Sequence, residues 1–224
     1  MAKESFRKLH LIPIQESNEP LLDIKKYCPE IFIKVWGERK QEKTFYARKS
    51  VVEKLKLVQK FLPKGYFLRV TDAYRPIKMQ EKYHRKIYLR LKRKFPTYSE
   101  RKIKILQNTL VYPPKLGTPP HSTGGALDVT LTKDSKIGRG IAMNNRKIPK
   151  HEQNKIFSKK VSHGIRKNRE ILYQAMKKAS FSNYSNEWWH WSWGDRGWAM
   201  REDKKYAIYG TVPNALLPKV FTKK

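Results

Sequence analysis

The chain has 224 residues, 39% of them hydrophobic and 12% aromatic, enough for folding to bury roughly 70% of the unfolded surface, which excludes a small stapled scaffold and a wholly disordered chain. Fifty Lys and Arg against nineteen Asp and Glu give a formal charge of +31, a field that attracts anionic partners such as nucleic acid, acidic lipid or wall polymer without choosing among them. A lone cysteine, Cys28, excludes an internal disulfide framework and any Cys-rich metal cluster.

Residues 1–20, polar and proline-containing, read as an irregular lead-in to a single domain over 21–224. They lack the apolar run of a signal peptide, and no segment approaches the apolar length of a membrane span. The expectation is a soluble, cytoplasmic protein, released if at all by lysis or a dedicated exporter. Ile31–Trp36, IFIKVW, reads as a short strand closed by Gly37. From about Ala47 to Leu62, the residues Val51, Leu55, Val58 and Leu62 recur at helical steps, and Pro63–Lys64–Gly65 stops the helix. Tyr66–Thr71, YFLRVT, reads as a buried strand that delivers the chain to Asp72–Ala73–Tyr74–Arg75–Pro76.

Pro76 suits the first turn of a helix with Met79, Tyr83, Ile87 and Leu91 on one face. Within 85–104, nine Lys and Arg face a single acid, Glu100. That stretch reads as a solvated basic surface or as a docking patch for an anionic polymer. Prolines between 113 and 120 force an extended approach to His121, and ALDVTLT (126–132) follows Gly124–Gly125 as a strand. Residues 133–164, polar and basic, read as a surface loop or lid. A helix over about Lys167–Ala179 precedes an aromatic strand, SNYSNEWWHWSW (182–193). Strand alternation puts Trp189, Trp191 and Trp193 on the core side and Trp188, with His190, on the cleft side. Strands separated by helices without a recurrent βαβ spacing predict an α+β fold, a single domain with a central, largely antiparallel sheet flanked by helices.

Four of the six histidines, His10, His84, His151 and His163, have no acidic or histidine partner at metal-ligand spacing and read as surface residues. His121 and Asp128 are different. Seven residues apart, they meet only if the chain turns between them, and Gly124–Gly125 permits that turn. His190 follows Glu187 by three residues, an odd separation that places Glu187 at the start of the strand or on a bulge. Two imidazoles and a carboxylate form a three-ligand set for catalytic zinc, with a fourth position for water and a further carboxylate to take its proton. Without a metal, the same residues read as an Asp128 that caps or pairs with a lysine and a His190 packed among tryptophans.

The segments DAYRP (72–76), PPHSTGGALDVTLT (119–132) and NEWWHW (186–191), in this order, resemble the three signatures of the D-alanyl-D-alanine dipeptidase family. These are zinc metallopeptidases related to the D,D-carboxypeptidases of bacterial cell-wall metabolism, and the resemblance spans about residues 27–195. It implies one zinc per chain in a cleft, bound by His121, Asp128 and His190. It implies Glu187 as general base and Arg75 as the cation that stabilises the scissile oxyanion. The substrate it implies is a small D-amino-acid peptide, D-alanyl-D-alanine or a closely related dipeptide. For Arg75 an ion pair with Asp72 is the structural alternative. Ser122 and Thr123 are expected to hold the ligand loop through hydroxyl-to-backbone bonds.

The chain departs from the family pattern at two places. Pro119 stands where the familiar dipeptidases carry a substrate-holding serine. Residues 137–152, IGRGIAMNNRKIPKHE, lack the Met-Gly-x-x-Phe-Asp aspartate that anchors the free amine, and their nearest acid is Glu152. A buried ammonium without a carboxylate is costly, so the departures keep a D,D-carboxypeptidase or other muropeptide peptidase as an alternative. From a different class stands a polyanion- or nucleic-acid-binding protein, supported by the charge but by no zinc-finger, RNP-like or helix-turn-helix signature.

Overall fold

The apolar residues of ALDVTLT alternate with polar ones, and the structure uses both faces of that strand. The computed structural model describes residues 6–34, 44–114, 117–133, 140–144 and 150–222. Seven strands are described: β1 (Leu21–Asp23), β2 (Phe32–Ile33), β3 (Tyr46–Arg48), β4 (Phe67–Asp72), β5 (Ala126–Thr132), β6 (Ser182–Asn183) and β7 (His190–Ser192). Five of them form one sheet in the order β2-β4-β5-β7-β6, with β5 at its centre. Only the β2–β4 pair is parallel, so the sheet is largely antiparallel and the α+β expectation holds. β1 and β3 pair separately as a small antiparallel ladder.

Leu127, Val129 and Leu131 of β5, Leu68 and Val70 of β4 and Trp191 of β7 are fully buried in one core. Two helices cover them, α3 (Lys49–Phe61) through Val51, Leu55 and Val58, and α7 (His163–Lys178) through Leu172, Ala175 and Met176. The alternate residues, Asp128 and His190, therefore point to the opposite side of the sheet. α4 (Ile77–Lys94) leaves β4 after Pro76, and α5 (Glu100–Leu110) folds back on it as a helical hairpin. α5 was not expected as a separate helix. The Ser99 hydroxyl caps it by accepting from the Lys102 amide, and the Tyr88 hydroxyl donates to Glu100 from α4. The nine cations expected on a basic surface lie on this hairpin.

Other departures have local causes. Among the described residues of IFIKVW, 31–34, Phe32–Ile33 is a strand; residues 35–43 lie outside the described residues, as do 134–139 and 145–149 of the expected loop or lid. The lead-in carries a short helix, Phe6–Leu9, and its Gln15 amide bonds to the Ala207 carbonyl at 2.8 Å. The aromatic stretch 182–193 is two short strands joined by a turn. The Glu187 amide donates to the Tyr184 carbonyl and the His190 amide to the Glu187 carbonyl. Alternation thus stops before β7, and the assignment of the two preceding tryptophans is reversed. Trp188 is buried with its indole N–H on Asn144 Oδ1 at 2.9 Å, while Trp189 forms part of the cleft wall. Among the described residues no helix is long and apolar enough to cross a membrane.

Candidate active site

Register brings the expected ligands together. Asp128 of β5 and His190 of β7 are directly opposed across an antiparallel pair, which holds their Cβ atoms about 5 Å apart. His121 arrives from the one-turn 3₁₀ helix Pro120–Thr123, immediately before β5. The turn is fastened by its own hydroxyls. Thr123 Oγ1 donates to the Pro120 carbonyl at 2.7 Å and accepts from the Gly125 amide, and Ser122 Oγ donates to the Arg75 carbonyl at 2.8 Å.

Gly124 then reverses the chain in the left-handed region at φ +73°, where a Cβ would stand 2.6 Å from Leu21 Cδ2. Gly124→Ala is expected to cost about 2–4 kcal/mol from backbone strain plus overlap, read as a drop of several degrees in Tm. An unchanged melting curve would show that the turn relaxes freely.

The three ligand groups lie within 4.8 Å of one another. His121 Nε2 is 3.3 Å and His190 Nδ1 3.1 Å from Asp128 Oδ1. His121 Nδ1 is 2.9 Å from the Ala73 carbonyl, which can only accept. A ring proton therefore sits on Nδ1, and Nε2 faces the Asp128 carboxylate. A ring nitrogen and a carboxylate oxygen this close in a buried site need a cation between them, a proton or a metal ion. That donor set, with an outward N–H bond fixing the ring, fits a divalent metal such as zinc.

The electrostatics agree. Burial alone would raise the Asp128 carboxyl, but His121 and His190 hold it far below the usual carboxylate range. Burial opposes charge on His190, yet Asp128 pushes it above the ordinary imidazole value.

Two further groups expected at the site line the same cleft outside the His-Asp-His cluster. Glu187 occupies the turn before β7 and lines the same cleft. Burial pushes its carboxyl above the usual range, against the pull of His190, with Asp128 adding to the rise. Arg75 follows the end of β4, where the ladder shifts register between Val70 and Asp72. Such a bulge re-aims side chains. The Arg75 guanidinium pairs with Asp72 through Nη2 and donates from Nη1 to Gln80 Oε1 at 2.7 Å. So the ion pair considered from sequence exists. It leaves Nε buried with no hydrogen-bond partner among the described residues, beside the cleft.

Several supporting residues carried no legible signal. Gln80, buried on α4, bridges Arg75 to the Tyr112 carbonyl. Asn183 Nδ2 donates to the carbonyls of both Glu187 and His190, at 3.0 and 2.9 Å, and so fixes the turn that sets these two residues side by side. Arg48, fully buried, donates from Nε to the Thr123 carbonyl and from Nη1 to the Glu19 carbonyl, tying the His121 turn to the lead-in. Gln80 and Arg48 act through long-range contacts, which residue spacing does not encode, and Asn183 acts through a turn outside the strand and helix periods. Of the remaining histidines, His84 bonds to Gln107 and Asn108 away from the triad, and the side chain of His151 lies outside the described residues.

The cleft around these groups has a volume of about 390 Å³, the size of a small-ligand site. With that geometry in view, similarity to known proteins is informative. The family described as D-ala-D-ala dipeptidase, Peptidase M15, matches residues 25–209. The D-alanyl-D-alanine dipeptidase of Synechocystis sp. is 28% identical over 236 aligned positions, which cover 90% of this chain and 95% of that protein. Among solved structures, a Zn(II)-bound mutant of the vancomycin-resistance D,D-pentapeptidase VanY from a VanB-type cassette superposes over 74% of this chain and 83% of its own, with 16% identity and a TM-score of 0.43.

Proposed function

The chain belongs to the D-ala-D-ala dipeptidase family of metallopeptidases, and from that premise we propose that it hydrolyses the peptide bond between the two residues of a D-alanyl-D-alanine unit. The observation that carries this reading is the convergence, in one cleft, of a His-Asp-His donor set with an unligated, partly buried Glu187 and the guanidinium of Arg75. His121, Asp128 and His190 would hold one zinc ion per chain. A zinc ion there supplies Lewis acidity, lowering the pKa of a water and polarising the scissile carbonyl.

The rest is done by this chain's side chains. Glu187 accepts the proton of the attacking water; its raised pKa makes the resulting carboxylic acid long-lived enough to pass that proton to the leaving amine. Arg75, fixed by Asp72 and Gln80, presents positive charge where the carbonyl oxygen becomes an oxyanion. Asp72 is a positioning residue here, and the Asp72–Arg75 pair and the oxyanion role are compatible because a guanidinium has five donors.

Arg75→Lys keeps the charge but not the planar fork that Asp72 and Gln80 grip. Its expected result is a fall of about 10²-fold in kcat with zinc content unchanged. Equal kcat in the two proteins would reduce Arg75 to a structural ion pair.

A second reading, a D,D-carboxypeptidase acting at the end of a longer peptide, is favoured by the cleft's acids. Among the described residues lining it, Asp128 and Glu187 are the only carboxylates, so none of these lining residues adds an acid for a free dipeptide's ammonium. The deciding experiment is hydrolysis of free D-Ala-D-Ala and of an N-acylated D-Ala-D-Ala peptide by zinc-loaded protein. Cleavage of the free dipeptide alone assigns a dipeptidase, and cleavage of the blocked peptide a carboxypeptidase. If neither is cut at stoichiometric zinc, the substrate assignment is wrong.

A further inference from the structure

The outer side of the α4–α5 hairpin faces away from the cleft and takes no part in the chemistry described above. On α4, Lys78, Arg85, Leu89 and Arg93 are all exposed and, at 3.6 residues per turn, fall within roughly 80° of one another around the helix. The buried Gln80 and Leu91 and the cleft residue Ile87 lie on the opposite side. α5 adds Arg101 and Ile105, exposed and one turn apart, with Ile103 and Gln107 buried beneath them. Tyr88 meets Glu100 and His84 meets Asn108 across the hairpin. That alignment sets Leu89 level with Arg101 and Arg85 level with Ile105, so cations and aliphatic side chains alternate over one two-helix face.

The face is short of acids. Glu100 is engaged at the seam between the helices by the Tyr88 hydroxyl and by Lys92 and Lys104, which leaves Glu81 as the acid of α4. Lys82 shares the outer arc but is engaged within the chain and is not counted. Among the described residues no ion pair engages Lys78, Arg85, Arg93 or Arg101.

The aliphatic pair decides which anion fits. Leu89 is 49% and Ile105 57% exposed, and their burial is favourable only against an apolar partner. Nucleic acid would use the cations and leave these two side chains idle. Nor is the aromatic pair at the hairpin tip a platform for a nucleobase. Phe95 and Tyr98 stack on each other at 4.8 Å, with the Lys94 ammonium over one ring and the Lys102 ammonium over the other. An acidic bilayer uses both kinds of residue, its headgroups for the cations and its headgroup–acyl boundary for the aliphatic side chains.

We propose that the outer face of the α4–α5 hairpin docks on an acidic phospholipid surface, with Lys78, Arg85, Arg93 and Arg101 on the headgroup phosphates and Leu89 and Ile105 at the acyl boundary. Because Gln80 and Ile87 lie on the other side of α4, a membrane held there leaves the cleft open. The inference goes beyond the hydrolytic reading and does not depend on it, since docking requires neither zinc nor turnover.

The test is cosedimentation of the full-length protein with phosphatidylcholine vesicles, with and without phosphatidylglycerol. Binding is expected on the acidic vesicles alone and should weaken as ionic strength rises. Arg85→Glu/Arg93→Glu/Arg101→Glu should weaken it by about a hundredfold or more. Lys56→Glu/Lys60→Glu/Lys64→Glu makes the same change of charge at exposed residues on and beside α3 and should cost at most a few-fold. Leu89→Ser/Ile105→Ser, which leaves the charge alone, should weaken vesicle binding by about tenfold and leave binding to a DNA duplex as it was. Melting curves of the variants check that each is folded.

Equal binding to neutral and acidic vesicles, or to neither, overturns the proposal and makes the face a solvated one. An equal loss in the two triple variants overturns it as well and assigns the binding to overall charge. If the serine variant binds vesicles undiminished, while a DNA duplex binds tightly and is released by the Arg85/Arg93/Arg101 reversal, the face belongs to nucleic acid.

Discussion

Glu187→Ala is expected to lower kcat on any D-Ala-D-Ala substrate by between about 10² and 10⁴, the range for removal of a general base, with zinc stoichiometry unchanged. The two halves of that result test different things. Glu187 shares the cleft with the donor triad but is not among the groups that converge on it, so its loss should leave the metal in place. Its carboxyl is raised chiefly by burial, and a raised acid is a base only above its own pKa. The acid limb of kcat/KM is therefore expected above the ordinary glutamate value of about 4.3. Activity should rise as pH climbs through that limb. Glu187→Gln, which keeps the shape and removes the base, should lose as much as the alanine variant. A Gln variant retaining half the activity would assign proton transfer elsewhere, and an alanine variant that loses zinc would make Glu187 a ligand.

That Glu187 and His190 could be paired from sequence, although they sit on different secondary elements, has a simple physical basis. The site is built mostly from short-range geometry. Gly124–Gly125 had to turn for His121 to meet Asp128, and the left-handed Gly124 does turn. The odd spacing of Glu187 and His190 had to place the glutamate outside the strand, and β7 starts at His190. β5 and the α3 and α7 helices were legible for the same reason, because period-2 and period-3.6 burial is a local property.

What is not legible is what contacts outside the local periodicity decide. The alternation of the tryptophans stops at a turn that Asn183 closes from β6, which reverses Trp188 and Trp189. α5 was hidden because its sequence reads first as charge, and its amphipathic face acquires meaning only against α4. Gln80 and Arg48, the supports of Arg75 and of the His121 turn, are buried polar residues that a sequence reading assigns to the surface by default. The basic stretch 85–104 allowed two readings, and the structure separates its members. Lys86 and Arg90 border the cleft while their neighbours face solvent elsewhere.

Zinc binding is expected to raise the melting temperature more at pH 8 than at pH 6, and Asp128→Asn should abolish the shift at both. In the metal-free protein His121, and after it His190, hold Asp128 low, and Asp128 holds His190 high, each against the effect of burial. The depressed carboxyl contributes stability above its unfolded pKa of about 3.9, and this is lost only as pH falls through the folded value. The raised imidazole contributes stability that is complete below its unfolded pKa of about 6.5 and is lost as pH rises through the folded value.

The pair thus supports the metal-free fold best between those two pH values and weakens above them, where His190 gives up its proton. A zinc ion held by His190 would take the place of that proton. Its affinity rises as His190 is freed, and at 1,000 times the Kd its contribution is about 4 kcal/mol, roughly 10 °C for a domain of this size. Removing the metal by chelation at pH 8 should therefore cost both activity and that margin of stability together. Asn at position 128 cannot supply the charge that draws the two imidazoles in, so the variant should melt alike with and without zinc. A zinc-induced shift of the same size at both pH values would mean that protons and metal do not compete at His190. Stoichiometric zinc in Asp128→Asn would remove Asp128 from the ligand set.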